Sequence, residues 1–109
     1  MTDELDEVQA AKEFEVAMRG IYVRARREAG YNATYFLRML GTLGGVTTAR
    51  KLLGSAHISD GFTSLWEASR LDLTVEALVL QKRFSSLFTD EELDVARRRL
   101  REFGFPLPS

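Results

Sequence analysis

The chain has 109 residues, with 15 Lys and Arg against 16 Asp and Glu for a net charge of −1, and it contains one His, two Pro and no Cys. That length suits a single domain able to bury roughly 60–70% of the surface its unfolded form exposes, and an apolar share of 45% excludes a wholly disordered chain. The missing cysteine rules out a disulfide scaffold, a thiol nucleophile and Cys-ligated metal, and no apolar run approaches the roughly 18 residues of a membrane span.

The first predicted helix runs from about Leu5 to Ala29. Ala11, Phe14, Met18, Ile21 and Ala25 recur on one stripe. Acids fill its first turns, Arg24, Arg26 and Arg27 its last, and Gly30 ends it. About 25 helical residues reach some 37 Å, more than a small globule needs, so this helix points to a partner. A second helix, capped by Asn32, directs Phe36, Leu37, Leu40 and Leu43 inward and breaks at Gly44-Gly45. A third starts near Val46, with Ala49, Leu52 and Leu53 on one face.

The polar stretch Gly54 to Asp60 reads as a mobile loop. Ser59 or Asp60 then caps a fourth helix holding Phe62, Leu65, Trp66 and Ala68. Leu71 to Thr74 reads as a cap region ahead of Val75, Leu78 and Val79, and Gln81 to Phe88 as a turn or short helix. Thr89 followed by Glu92 forms a capping box. Leu93, Ala96, Leu100 and Phe103 complete the last helix before Gly104 and Pro106. No strand-like alternation, repeat or low-complexity run is present. The expected fold is all-α, a compact bundle of about five to seven helices. Its expected division is a long N-terminal helix over 1–30, a helical core over 31–104 and a tail over 105–109.

Several stretches together resemble a known pattern. They are Gly30-Tyr31-Asn32-Ala33-Thr34-Tyr35-Phe36-Leu37, Gly44-Gly45-Val46 through Ala49-Arg50-Lys51-Leu52-Leu53, and Gly61-Phe62-Thr63-Ser64-Leu65-Trp66-Glu67. Arg70-Leu71-Asp72-Leu73-Thr74-Val75-Glu76-Ala77-Leu78-Val79-Leu80 and Leu87 through Leu93 with Ala96-Arg97 extend it. This resembles a widespread family of small, uncharacterised bacterial all-α domains, over most of the chain after Gly30. The resemblance implies a bacterial, cytoplasmic module rather than a self-sufficient enzyme, and it carries over no site residue.

No motif here carries bond chemistry. His57, the one imidazole, lies in the polar stretch. A Ser55–His57–Asp60 grouping would need to hold triad geometry within one flexible loop, so a surface histidine is the better reading. The acidic run Asp90, Glu91, Glu92 and Asp94 opens a helix and lacks EF-hand spacing. Gly41, Gly44 and Gly45 match neither a Walker loop nor a dinucleotide fingerprint. Asn32-Ala33-Thr34 fits a glycosylation sequon but reads better as a helix cap. Trp66, with Phe62, Leu65 and Leu71, is expected in the core rather than in a groove. Arg97-Arg98-Arg99 with Arg101 wraps its helix at about 100° per residue, a solvated face with Asp94 as partner to Arg97 or Arg98.

Charge is segregated along the chain. Residues 1–15 carry −5 and residues 16–29 carry +3, no acid occurs between Glu28 and Asp60, residues 59–96 carry −5 and residues 97–109 carry +3. The acidic start is unlike a secretory or transit peptide, so a cytoplasmic protein without membrane partner is expected. The leading functional expectation is a non-enzymatic protein-interaction or assembly module that binds a protein partner or a second copy of itself. Ala10, Val16, Ala17, Tyr22 and Val23, lying off the main stripe of the first helix, are its candidate anchors. The alternative is a nucleic-acid-binding accessory domain using residues 29–59. There Arg38, Arg50 and Lys51 would meet phosphate and Thr47 and Thr48 would donate to backbone oxygens. The pI of 5.8 argues against a dedicated nucleic-acid binder. A third alternative, an enzyme, would require Glu67, Asp72 and Glu76 to converge. No catalytic, metal or cofactor-binding residue is assigned, and no cofactor is expected.

Overall fold

A computed structural model describes the backbone of residues 2–107 and the side chains from Glu4 onward to Leu107. Met1 and the last two residues of the expected tail lie outside the described residues. The long first helix is present as α1, Thr2–Ala29. It is followed by α2 (Thr34–Leu43), α3 (Gly45–Leu53) and α4 (Asp60–Glu67). A 3₁₀ turn at Leu71–Leu73 leads into α5 (Val75–Val79), α6 (Lys82–Ser85) and α7 (Asp90–Glu102). The protein is an all-α compact bundle measuring 44 × 32 × 24 Å, with no strand among the described residues.

Local chemistry sets most of these boundaries. Gly30, at φ +68°, ends α1, and the Tyr31 N–H returns to the Ala25 carbonyl at 3.0 Å. The Ser59 hydroxyl accepts the Phe62 N–H at 3.1 Å to cap α4. Thr74 does the same for Ala77 at the start of α5. Thr89 and Glu92 exchange both bonds of the capping box, at 2.8 and 3.1 Å. The segment that reads as turn or short helix, Gln81 to Phe88, contains the four-residue α6.

Gly44 alone joins α2 to α3, at φ +83°. The next residue, Gly45, lies where α3 meets α1. A Cβ there would stand 3.2 Å from the Glu15 Cα and 3.3 Å from the Phe14 ring. A side chain at this position would force α1 and α3 apart by a few tenths of an ångström. The Glu15 side chain accepts the Gly45 N–H, so a carboxylate from α1 caps α3.

The core forms around Phe14 and Met18 of α1, both fully buried. Phe84 and Phe88 pack edge-on against the Phe14 ring, with centroids 5.2 and 5.3 Å away. Four of the five residues of α5 are buried, because α5, like α3, touches both α1 and α7. Three expectations are corrected. Asn32 does not cap α2; its side chain instead accepts the Tyr22 hydroxyl at 2.9 Å. Trp66 is 45% exposed, because α4 presents it to the edge of Phe103 rather than to the bundle. Leu43, at the end of α2, is exposed too, since Gly44 turns the chain before another helix can cover it.

Candidate functional site

Two features of the surface stand out, and the first is the outer face of α1. At 100° per residue, Leu5, Val8, Lys12, Val16, Arg19 and Val23 fall on one stripe, opposite Phe14, Met18 and Ala25. All six are exposed, with Leu5 at 75% and Val16 at 71%. The stripe is flanked by charge of opposite sign at its two ends, −5 over residues 1–15 and +3 over residues 16–29. Arg83 of α6 steadies the acidic end, reaching Glu13 at 2.7 Å and Asp6 at 3.0 Å.

The five candidate anchors of this helix divide. Val16 and Val23 face outward. Ala10 is 1% exposed and unavailable to a partner, while Ala17 is half-buried and packs against the core. Tyr22 is half-buried and engaged with Asn32. Leu5 and Val8 are absent from the expected anchors, although their spacing from Val16 and Val23 is the signal that would have found them.

The nucleic-acid candidates point in separate directions. Thr48 is fully buried, so its hydroxyl cannot reach a phosphate. Arg50 donates to the Leu87 carbonyl at 3.0 Å and lies 3.6 Å from Glu92. Lys51 borders a cleft, while Arg38 and Thr47 are exposed on α2 and α3.

That cleft is the second feature. It has a volume of about 620 Å³ and lies among α1, α2, the loop after α3, α4 and α5. Ala25, Phe36, Met39, Leu65 and Leu73 supply apolar lining, and the titratable groups at its border include Lys51, His57, Tyr31, Asp60 and Glu76. Burial, followed by the nearby Asp60 carboxylate, raises the Tyr31 phenol above its ordinary range and keeps it a proton donor.

Behind the cleft lies a buried ion pair. Arg99 of α7 donates to Glu76 at 3.1 Å, to the Leu52 carbonyl at 3.1 Å and to the Ser55 carbonyl at 2.6 Å. One guanidinium thus ties α5 to the end of α3 and to the loop carrying His57. Burial pushes the Glu76 carboxyl above the usual carboxylate range. This corrects the reading of Arg97-Arg98-Arg99 as a wholly solvated face. Arg97 does pair with Asp94, at 2.7 Å, whereas Arg99, two residues on, turns about 200° into the bundle.

Comparison with protein-family models, curated proteins and solved structures finds no match. Several of the residues weighed for chemistry take structural partners. The Ser55 hydroxyl accepts the His57 backbone N–H at 3.4 Å, a local turn. Asp72 pairs with Arg70, and Arg70 in turn with Glu28. Glu76 belongs to Arg99, and Glu67 is exposed on α4. Among the described residues no helix is long and apolar enough to cross a membrane.

Proposed function

We propose that the protein is a non-enzymatic assembly module that pairs with a second copy of itself through the outer face of α1. The observation that carries this reading is the exposed stripe Leu5, Val8, Val16 and Val23, opposite the helix's own core face. A helix of 28 residues reaches about 42 Å, long enough to carry such a contact along one side of the bundle. The charge sequence supports an antiparallel arrangement, in which the acidic end of one helix lies along the basic end of the other. In a register centred on Val16 the two Val16 side chains meet. Leu5 and Val8 then cover the region of Val23.

A single helix pair buries an area at the low end of specific interfaces, so the dimer forms in a concentration-dependent way. Light scattering with size exclusion tests it. The mass should rise from 12.3 kDa toward twice that value as concentration increases. Val16→Glu should hold the monomer, and added salt should weaken the pair. A monomer at every concentration, or a dimer indifferent to Val16→Glu, would contradict the reading.

A further inference from the structure

The cleft beside α2 and α4 has a chemistry of its own, independent of the assembly proposed above. Its volume of about 620 Å³ falls within the range of sites for small ligands, about 300–1,000 Å³. Phe36, Met39, Leu65 and Leu73 contribute side chains that water in the cleft cannot hydrogen-bond, so apolar matter displacing that water is favoured. The flexible Met39 side chain also adapts to varied apolar shapes.

The polar groups of the cleft select the sign of the ligand. Lys51 and His57 are its cationic and imidazole side chains, and neither forms an ion pair among the described residues. No acid occurs in the chain between Glu28 and Asp60, the stretch that supplies both. Of the two carboxylates bordering the cleft, Glu76 is matched by Arg99. Asp60 lies in the first turn of α4, a position that the helix dipole favours for a carboxylate. The Tyr31 hydroxyl makes no hydrogen bond to any described residue and is left as a donor. The wall is also preformed, because Arg99 fixes the Leu52 and Ser55 carbonyls on either side of Gly54.

We propose that this cleft binds a small amphipathic carboxylate, with its apolar body among Phe36, Met39, Leu65 and Leu73 and its carboxylate at Lys51 and His57. Lys51 supplies a charge-assisted bond, His57 and Tyr31 directional ones. The apolar part is read by shape and size alone.

Dodecanoate, dodecanol and dodecyltrimethylammonium, each below its micelle concentration, are the probes. Titrations are followed by amide NMR shifts and by calorimetry. Dodecanoate should bind one per chain, with shifts confined to residues of the cleft. The neutral and cationic probes should bind more weakly by about twofold to fivefold, the worth of one partly exposed ion pair. Lys51→Glu, at an exposed position, should weaken dodecanoate by at least that factor. Ala33→Phe, which fills the cleft, should abolish binding, and Val16→Glu should leave it unchanged. Equal affinity for the three probes would overturn the assignment. So would dodecanoate binding that ignores Lys51→Glu, shifts located outside the cleft, or no binding at all.

Discussion

Arg99 and Glu76 meet at 3.1 Å with side chains only 8% and 4% exposed, so α7 and α5 are joined by a pair of charges removed from water. The same guanidinium satisfies two backbone carbonyls of the α3–α4 connection. Removing either partner strands the other. Arg99→Met should therefore destabilise the fold by about 3–5 kcal/mol, while Arg99→Met with Glu76→Leu should recover much of the loss. Urea denaturation of both single variants and the double variant checks this. Additive losses in the double variant would show that the two residues act independently.

Acid should loosen the molecule through exposed ion pairs on α1. Arg83 holds the Glu13 carboxyl down to about 2, and Arg24 followed by Arg70 hold Glu28 to about 2. A carboxylate whose folded-state pKa lies below its unfolded value stabilises the fold above that unfolded value. The contribution is lost as pH falls from about 5 towards about 2. Burial shifts Glu76 the opposite way, so its stabilising share is present on the acid side and fades as pH rises through its raised pKa. Stability measured at several pH values should drop below pH 5, and Glu13→Gln with Glu28→Gln should flatten that drop. An unchanged slope in the double variant would assign the acid loss elsewhere.

Thr48 is fully buried in α3 and its hydroxyl has no hydrogen-bond partner among the described residues. Thr48→Val keeps the branched shape and removes the stranded hydroxyl. It should stabilise the protein by about 1 kcal/mol, raising the thermal midpoint by about 4 °C or more. Thr48→Ser, which keeps the hydroxyl and opens a gap, should lower it. Differential scanning calorimetry separates the two.

Two glycines should respond in opposite directions to the same substitution. Gly45→Ala drives a methyl group to 3.2 Å from the backbone of Glu15 and should cost about 1–3 kcal/mol. Gly20 lies inside α1, where an added methyl group would meet nothing within 4 Å. As alanine it should gain about 0.5–1 kcal/mol from helix propensity. Chemical denaturation midpoints for the pair check both signs.

What can be read from the chain alone is what depends on neighbours in sequence. The 3.6-residue recurrence of Phe14, Met18 and Ala25, the capping box at Thr89 and the stop at Gly30 act through bonds and contacts within a turn or two, so they hold before any helix meets another. The all-α bundle and its long first helix follow from them. Which residue is covered depends on where distant helices come to rest, and that lies outside any local pattern. Arg97, Arg98 and Arg99 are identical in the sequence, yet α5 and the loop after α3 approach α7 at one angle and enclose only Arg99. A large aromatic favours burial, which places Trp66 inside by sequence, but the bundle leaves it 45% exposed beside Phe103. Ala10 and Val16 look alike as apolar residues off the main stripe. Helical spacing nevertheless separates them, since Ala10 lies one turn before the buried Phe14 and Val16 on the opposite, exposed face.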